Sequence, residues 1–574
     1  MTYCMVRTSV IQATGFQDKG DFMTGFRLLG AGGLGAVLLA GVLAVPSASA
    51  ATIWPFPDEG AGTWGQGTGG QLGNDALSSS NTPVVTTNTG ALADQVVTKV
   101  AAGNVFACAI ASGKAYCWGQ QSNGKLGNGT STGTSQVPVA VTSSGVLSGK
   151  TLVDISAGGN FACALDTDGK AYCWGGGNTN AGQLGNGANA QATTPVAVTM
   201  PSGKAFTSIS AGFTHACALT TDSLIYCWGS NTNGQLGTGD TTNVNVPTAV
   251  STSGVLSGKT PTAVSAGALY TCAVASGNAY CWGLQTNGKL GNGQTGSGNV
   301  TSPAAVDASG VLSGKTLTKI GTSGTSASSG AADQGMTCAL ASGADLYCWG
   351  YGLAGRLGNS ASLTSATPVA VTQESGVLSG KTVTSLSVGW SHTCVVTTEA
   401  KAYCWGVNGD GQLGDGANTS VNKPKAIQAG ALTVGSPAAA RPILTIAAGN
   451  SFTVGAFGWN AMPGMPGTPT ITGSSPNQTL QWTAPRYTGT SSLVSYTIYY
   501  KPTSKTNYAT FATLPSASTS INLNTYASSG CPAGGTCNRG YGALTNQSYD
   551  WVVLASNGSG AGRVSLSLTA VWSP

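Results

Sequence analysis

The sequence predicts an all-β chain, and three observations support this fold class. The tetrapeptide Tyr-Cys-Trp-Gly recurs at near-regular intervals, beginning at Tyr116, Tyr172, Tyr226, Tyr280, Tyr347 and Tyr403. Glycine accounts for 86 of 574 residues, and threonine, valine and turn formers are frequent, which is typical of short strands joined by tight turns. Only 7% of residues are charged but 41% are hydrophobic, so the low charge does not indicate disorder.

The spacing of the Trp-Gly pairs defines a repeat. From Trp64 to Trp405 the intervals are 54, 56, 54, 54, 67 and 56 residues. Each unit contains a short apolar strand, a Ser/Ala-Gly turn, a strand through a first cysteine, a tight turn, the Tyr-Cys-Trp-Gly strand and an Asn-x-x-Gly-Gln/Lys-Leu-Gly segment. Four short strands per unit, repeated around an axis, predict the blades of a β-propeller.

A seventh unit is divided between the two ends of the array. Residues 446–454 repeat the first-cysteine strand with Val454 in place of the cysteine, and Thr63 precedes Trp64-Gly65 in place of the second cysteine. Joined, the two halves make a blade that closes the ring, and both cysteine positions are lost in it together. The sequence therefore predicts a seven-bladed propeller over residues 51–459.

Each complete unit carries two cysteines nine or ten residues apart, and the extra residue lies in the turn between them. A hairpin therefore keeps the two cysteines opposite each other, about 4.5–5.5 Å apart at Cα and within disulfide range. Alternation places Cys108 on one face of the hairpin and Tyr116 and Trp118 on the other. Zinc is disfavoured because each hairpin supplies only two ligands. We predict structural disulfides Cys108–Cys117, Cys163–Cys173, Cys217–Cys227, Cys272–Cys281, Cys338–Cys348 and Cys394–Cys404.

These repeats resemble the regulator of chromosome condensation (alpha-tubulin suppressor-like) repeat family over roughly residues 52–459. The resemblance is carried by the Ala-Gly-x-x-His/aromatic-x-Cys-Ala-Leu strands, the Trp-Gly pairs and the turns 183–185, 235–237 and 412–414, each Gln-Leu-Gly. It implies a seven-bladed propeller. The family's best-known activity is nucleotide exchange on a small nuclear GTPase, and the cysteine pairs, the N-terminal leader and the low charge argue against it here.

Residues 1–50 are predicted to be a secretory signal peptide, with a possible start at Met23. Arg27 precedes the apolar run 28–45, and Ala48-Ser49-Ala50 follows it, so cleavage is expected after Ala50. The alternative is an uncleaved membrane anchor, since the run is nearly long enough to span a bilayer. The glycines in the run favour cleavage. The mature protein is therefore expected to have no membrane span and to be secreted, extracellular or held at the cell surface.

Beyond a predicted linker at residues 460–469 the repeat disappears. Three candidate strands follow, 480–483 with Trp482, 494–500 with alternating Tyr and Ile, and 549–555 after Leu544. This pattern resembles a fibronectin type III β-sandwich, which we assign to residues 470–574, with Tyr549 as its tyrosine corner. Cys531 and Cys537 bracket a short loop and are predicted to be bridged.

Few residues are candidates for chemistry. The two histidines, His215 and His392, stand two residues before a first cysteine, where other units have Phe, Tyr or Met, so they are interpreted as packed side chains. The segment Gly-Val-Leu-Ser-Gly-Lys, at 145–150, 254–259, 310–315 and 376–381, is one residue short of a phosphate loop and is interpreted as a connection between blades. Asp166-Thr167-Asp168-Gly169 is interpreted as a turn, not a calcium loop. The insertion 322–335 is interpreted as a flexible excursion, with a binding loop as the alternative.

The sequence thus predicts a non-enzymatic binding or adhesion protein without cofactor or metal, in which a disulfide-stapled propeller is the interaction scaffold. A net charge of +5 without a basic run argues against nucleic acid as a partner. The expected partner is a cell-surface or matrix protein, or a polysaccharide. One alternative is an accessory or catalytic component of extracellular polysaccharide degradation, which predicts clustered acids or exposed aromatics on one face. Another is an inhibitor of a secreted enzyme, which predicts aromatic loop tips. The ligand, the binding face and the oligomeric state stay open.

Overall fold

In the computed structural model residues 51–574 form one unit and residues 1–50 another. The structure describes residues 60–457 except 88–89, 93–94, 177–180, 324–333, 373–376, 429, 431–432, 435–438 and 441. It also describes residues 469–473, 478–482, 493–503, 509–523, 536–537, 547–557, 560–564 and 568–572. The predicted signal peptide, the predicted linker up to residue 468 and Cys531 lie outside the described residues.

The repeat region consists of short strands. In chain order they are β1 (Ala61–Gly65), β2 (Ser80–Val85), β3 (Val97–Ala102), β4 (Phe106–Ala111), β5 (Lys114–Gln120), β6 (Thr134–Ala140), β7 (Leu152–Ala157), β8 (Phe161–Asp166), β9 (Ala171–Gly175), β10 (Ala192–Ala197), β11 (Phe206–Ala211), β12 (His215–Thr220), β13 (Ile225–Gly229), β14 (Val244–Ala249), β15 (Pro261–Ala266), β16 (Tyr270–Ala275), β17 (Asn278–Gln285), β18 (Gly298–Ala305), β19 (Leu317–Thr322), β20 (Met336–Ala341), β21 (Leu346–Gly350), β22 (Ser365–Ala370), β23 (Val383–Val388), β24 (His392–Thr397), β25 (Ala402–Gly406), β26 (Val421–Ala426), β27 (Thr433–Val434), β28 (Ala439–Ala440), β29 (Ile443–Ala448) and β30 (Phe452–Phe457). Short 3-10 helices lie at Gly90–Leu92, Ser122–Gly124, Gly145–Leu147, Gly254–Leu256 and Leu353–Gly355.

Twenty-eight of these strands form seven four-stranded antiparallel sheets, each of which we call a blade, and β27 and β28 pair separately. Blades 1 to 6 are built from consecutive strands, namely β3–β6, β7–β10, β11–β14, β15–β18, β19–β22 and β23–β26. The closing blade has the order β29-β30-β1-β2 and so joins both ends of the region. The first strands of neighbouring blades contact each other, which makes them the inner ring of a β-propeller.

The closing blade has the register that the sequence predicts. Thr63 pairs with Val454 and Trp64 with Thr453. In the other six blades the corresponding positions pair cysteine with cysteine, as in Cys163 opposite Cys173. Both ends of the repeat region therefore complete one sheet.

A disulfide joins the two middle strands of each of the other six blades. The Cα atoms of each pair lie 4.0–4.2 Å apart, slightly closer than the separation expected for opposed strand residues. In blade 1, Cys108 and Cys117 pack with Trp174 of the next blade, whereas Trp118 packs with Val454 of the closing blade. Cystines and tryptophans thus occupy opposite faces of each hairpin, as predicted, and both faces are buried between blades.

Each of blades 1 to 6 is also tied to the blade before it by a tryptophan. In blades 1 to 6 the indole N–H donates to the backbone carbonyl of the Gln, Lys or Arg in the preceding Gly-x-Leu-Gly segment, namely Gln71, Lys125, Gln183, Gln235, Lys289 and Arg356, at 3.0–3.1 Å. The last glycine of the segment is required because a Cβ on Gly185 would lie 2.7 Å from Trp228 Nε1, and its φ is +67°. The repeated motif therefore encodes the contact between blades.

The C-terminal region is also β-structure. Its strands are β31 (Thr470–Thr472), β32 (Thr479–Gln481), β33 (Leu493–Pro502), β34 (Ala509–Pro515), β35 (Ser520–Asn522), β36 (Thr536–Cys537), β37 (Gln547–Asn557), β38 (Gly560–Val564) and β39 (Leu568–Trp572). One sheet has the order β31-β32-β35 and the other β36-β34-β33-β37-β38, with β39 pairing with β37. Trp482, Tyr496, Ile498, Tyr500 and Trp551 share a buried core. The predicted bridge to Cys531 lies outside the described residues, and so does the side chain of Tyr549.

Candidate binding face at the propeller axis

The propeller has two distinct faces. What we call the upper face carries the turns between the first and second strands, near the axis, and the loops between the third and fourth strands. The lower face carries the turns between the second and third strands and the connections between blades. Gly-Val-Leu-Ser-Gly-Lys lies in these connections, as its interpretation required; residues 145–150, for example, lie between β6 and β7.

The inner strands end at the upper face in closely packed turns. The serine of the Ser-Ala-Gly turn accepts a hydrogen bond from the next inner strand, from Ala211 N to Ser156 Oγ at 2.9 Å and from Ala266 N to Ser210 Oγ at 2.9 Å. The glycine is needed because a Cβ on Gly158 would overlap the carbonyl oxygen of Gly212 in the next blade. The turn motif therefore draws neighbouring blades together at the axis.

Backbone hydrogen bonds continue this ring through the residue after the glycine. Asn104 N donates to Gly158 O at 3.2 Å, and Phe213 N donates to Gly267 O at 3.0 Å. Trp390 N donates to Gly449 O at 3.0 Å in the closing blade. The closing blade is in turn joined to blade 1 by Asn450 Nδ2, which donates to Asn104 Oδ1 at 3.0 Å. The residues that face the axis are thus fixed by the blades on either side.

Two aromatic side chains meet across the axis at this face. The ring centroids of Phe213, in blade 3, and Trp390, in blade 6, are 5.5 Å apart, with an interplanar angle of 64°. Blades 3 and 6 lie on opposite sides of a seven-membered ring, so the pair bridges the opening. Both side chains are partly exposed. The cavity that they line with the inner strands has a volume of about 70 Å³, far below the several hundred Å³ of a small-molecule pocket.

We call the opening around this pair, at the upper end of the axis, the mouth. It is uncharged in the six blades whose turn is described. The two residues that follow the turn glycine are Asn104 and Val105, Gly159 and Asn160, Phe213 and Thr214, Ala268 and Leu269, Trp390 and Ser391, and Asn450 and Ser451. The corresponding turn of blade 5 contains the insertion, of which residues 324–333 lie outside the described residues. Amides, hydroxyls and aromatic rings therefore dominate the exposed chemistry of the mouth.

The lower face, in contrast, carries paired charges. The connection lysine binds an acid beside or within the following hairpin turn, as in Lys150 with Asp166 at 3.3 Å and Lys381 with Glu399 at 2.7 Å. Asp166 Oδ1 also accepts the backbone N–H groups of Asp168 and Lys170, both at 2.9 Å, so its role is turn formation. These hydrogen bonds lower the pKa of Asp166 against the opposing effect of burial. Within the described residues no group of three or more His, Cys, Asp or Glu side chains could hold a metal ion.

A ring of buried polar side chains lies between the blades below the upper face. It consists of the Gln, Lys and Arg residues of the Gly-x-Leu-Gly segments, which are Gln71, Lys125, Gln183, Gln235, Lys289, Arg356 and Gln412. Lys125 Nζ donates to Asn160 Oδ1 at 3.0 Å and to Gln120 Oε1 at 2.9 Å. Burial lowers the pKa of Lys125 to about 8 and that of Lys289 to about 7. Desolvation, not an acidic neighbour, thus controls the protonation of these lysines.

The two histidines are fully buried packing residues, as their positions predict. His215 Nε2 and Thr271 Oγ1 of the next blade are 2.8 Å apart, and His392 Nε2 and Thr453 Oγ1 are 2.7 Å apart. Burial lowers the pKa of each imidazole to about 3, with a smaller contribution from Arg356 at His392. Both side chains are therefore neutral at pH 7 and link adjacent blades.

Sequence reasoning missed Phe213 and Trp390. Both follow the turn glycine, at a position where the other described units have Asn, Gly or Ala. An aromatic residue at a turn position that is otherwise small or polar was the available signal. Their contact was not predictable from spacing, because they belong to blades that are not neighbours.

Known proteins share this repeat region. A family model described as RCC1-like domain matches residues 61–455. The Ultraviolet-B receptor UVR8 of Arabidopsis thaliana is 29% identical over 371 residues, which cover 64% of this chain and 77% of the receptor. The E3 ubiquitin-protein ligase HERC2 of Homo sapiens is 31% identical over 370 residues, which cover 64% of this chain but only 7% of the ligase.

Solved structures show the same fold at low sequence identity. Human WBSCR16 has a TM-score of 0.57 and 19% identity, covering 69% of this chain and 98% of that one. Prp20p from Saccharomyces cerevisiae has a TM-score of 0.57 and 19% identity, covering 69% of this chain and 91% of that one. The family match covers more than half of the chain and coincides with the seven blades. The chain therefore belongs to the RCC1-like domain family.

Proposed function

We propose that this protein is an exported, non-enzymatic binding protein that holds its partner against the upper face of the propeller. The observation that carries the proposal is the Phe213–Trp390 pair, two partly exposed rings that meet across the axis. Aromatic side chains are enriched at the centres of interfaces because they bury a large area at low entropic cost. Prp20p is described as binding Gsp1p and histones. What we carry over to this chain is the use of the propeller as a scaffold, not those partners.

Export is supported by the disulfides and by the N-terminal sequence. Disulfides persist in oxidising compartments and are rare in the cytosol, and each blade from 1 to 6 contains one. The leader at residues 1–50 has the three parts of a secretory signal. We further propose that residues 470–574 are a fibronectin type III module that spaces the propeller from its attachment point.

Two further functions share this surface. A component of polysaccharide degradation predicts exposed aromatics on one face, and the mouth provides two of them. An inhibitor of a secreted enzyme predicts aromatic side chains in surface loops, and Phe213 and Trp390 lie in turns. We retain the component of polysaccharide degradation as the second candidate function, because a neutral mouth suits a carbohydrate better than a charged protein surface.

Export is tested by expressing the full chain in its source organism and sequencing the N-terminus of the protein recovered outside the cell. We expect Ala51 as the first residue. Retention of residues 28–45 in a membrane-bound protein would contradict export.

The binding face is tested by co-sedimentation with purified cell envelopes from the same organism. The double variant Phe213→Ala/Trp390→Ala removes the mouth aromatics, and Val146→Ser/Val255→Ser is the matched control, because each valine is 40% exposed on the lower face. We expect the wild type and the control to sediment and the mouth variant to bind at least tenfold less. Equal sedimentation of the mouth variant and the wild type would overturn the proposal.

A further inference from the structure

We infer that the mouth of the upper face binds a neutral glycan chain, with Phe213 and Trp390 as its stacking platform. This inference rests on the proposed function, since it names the ligand class of the same surface. The C–H groups on one side of a pyranose ring form a small apolar face that packs on an aromatic ring, and its hydroxyls need hydrogen-bond partners at the edges. The mouth provides both kinds of group.

The two rings are held in place before any ligand arrives. Phe213 lies so close to Gly159 that a Cβ on this glycine would be 2.8 Å from Cδ2 of the phenyl ring. The backbone of Phe213 is tied to Gly267 and that of Trp390 to Gly449, each by a 3.0 Å hydrogen bond to the next blade. The two rings also pack against each other, with centroids 5.5 Å apart. A preorganised platform loses little conformational entropy when it binds.

Trp390 differs from the tryptophans of the repeats. Those seven are fully buried, and in blades 1 to 6 the indole N–H is used inside the protein. Trp390 is partly exposed, at the upper end of the axis. An indole N–H at a wet surface is a donor for a ligand hydroxyl.

Polar side chains surround the platform without adding charge. Asn104, Asn160, Thr214, Ser391 and Ser451 are partly exposed and offer amide or hydroxyl groups. A carboxylate or sulfate on the ligand would find no exposed cation among the described mouth residues, and burying an unpaired charge is costly. The chemistry of the mouth therefore favours a neutral glycan over an anionic one.

The cavity volume determines how the glycan lies. A space of about 70 Å³ holds a few waters but not a sugar ring. The glycan therefore lies across the mouth and does not enter the axis. Such a site accepts internal residues of a long chain as well as its ends, which points to a polysaccharide as the ligand.

The test is affinity electrophoresis of the exported full chain in gels that contain a neutral β-glucan, xylan, mannan or dextran, with alginate and polygalacturonate as anionic comparisons. We expect retardation by at least one neutral polymer and by neither anionic one. Phe213→Ala/Trp390→Ala should raise the apparent dissociation constant at least tenfold, Trp390→Phe should raise it less, and Val146→Ser/Val255→Ser should leave it unchanged. Equal melting temperatures establish that the variants are folded.

Tryptophan fluorescence gives a second measurement that does not depend on loss of binding. An oligosaccharide of the retarding polymer should change the emission of the wild type, and Trp390→Phe should abolish this change even where retardation persists. The side chains of Phe213 and Trp390 both lie at the surface, so we expect Trp390→Phe to fold normally.

Three results would overturn the inference. Retardation only by anionic polymers would exclude a neutral ligand, and equal retardation of the mouth double variant would place the glycan elsewhere. Envelope binding that depends on the mouth aromatics but is destroyed by protease treatment of the envelopes, with no retardation by any polymer, would identify a protein partner. In that last case the proposed function stands and only the ligand class fails.

Discussion

Thr63 lies directly opposite Val454 in the closing blade, at the register position that a disulfide occupies in the other six blades. Thr63 belongs to the first strand of the region and Val454 to the last, so this pair joins the two ends of the propeller. Backbone pairing and packing hold the joint, without a covalent bond between its strands. The closing blade is therefore where we expect the ring to open first.

A disulfide introduced at this joint should stabilise the whole propeller. Thr63→Cys/Val454→Cys places two cysteines at the register position of the natural disulfides, and oxidation would close a loop of nearly the whole domain. The chain-entropy relation gives an upper value of about 6 kcal/mol for a loop of this length. We expect a new disulfide by non-reducing mass mapping and a higher melting temperature. The two single cysteine variants are controls, and a melting temperature equal to theirs would contradict the prediction.

Removing a natural disulfide should lower the free energy of unfolding by much less than the introduced disulfide could raise it. Cys163→Val/Cys173→Thr gives blade 2 the residues that the closing blade already tolerates, so we expect the blade to fold. The loss of a loop of about ten residues predicts a decrease of about 2–3 kcal/mol in the free energy of unfolding. Denaturant titration measures the change. If the variant shows no cooperative unfolding transition, the cystine is required for the blade to form, which would contradict the prediction.

The buried histidines predict that the protein becomes less stable in mild acid. Burial holds the pKa of His215 near 3 in the folded chain, against about 6.5 when unfolded. The unfolded chain therefore binds more protons between these values, so the free energy of unfolding falls as the pH drops through this window, by up to about 1.4 kcal/mol per pH unit.

The matched variant is His215→Phe/Thr271→Ala, which reproduces the pair that Phe106 and Ala162 form between blades 1 and 2. Melting temperatures from pH 4 to 7 should show a smaller acid-induced decrease than in the wild type. His392 is unchanged in this variant and accounts for the part of the slope that persists. An unchanged slope would contradict a neutral, buried His215.

The buried lysines predict that the protein becomes more stable as the pH rises above 7. Burial lowers the pKa of Lys289 to about 7 from 10.5, so above pH 7 the folded chain has released a proton that the unfolded chain still holds. The free energy of unfolding should therefore rise between pH 7 and about 10.5. Lys289→Gln introduces the residue found at the same position in blades 2 and 3 and should reduce this rise. Lys315→Gln, on the lower face, should leave the rise in place, because the pKa of Lys315 is raised by its contact with Asp345.

Contacts between blades were only partly predictable from the sequence. The opposite faces of cystine and tryptophan followed from strand alternation, since the side-chain period is fixed by the backbone. The hydrogen bonds between His215 and Thr271 and between His392 and Thr453 did not follow, because each joins residues of different units. The sequence nevertheless carried a signal for these contacts, because a histidine or tyrosine at this position is matched by a threonine in the next unit, and a phenylalanine by an alanine. Tyr270 likewise faces Thr337 one blade on, whereas Phe106 packs with Ala162 and Phe161 packs with Ala216.

The sequence by itself determined the repeat, the cysteine partners and the closing blade, because a strand, a hairpin and their register are local and recur in every unit. It could not determine that Phe213 meets Trp390. These two residues follow the same turn glycine in blades on opposite sides of the ring, and nothing in their separation along the chain encodes contact. Only the tertiary structure brings them together, because close packing of the inner strands narrows the axis until two rings can span it.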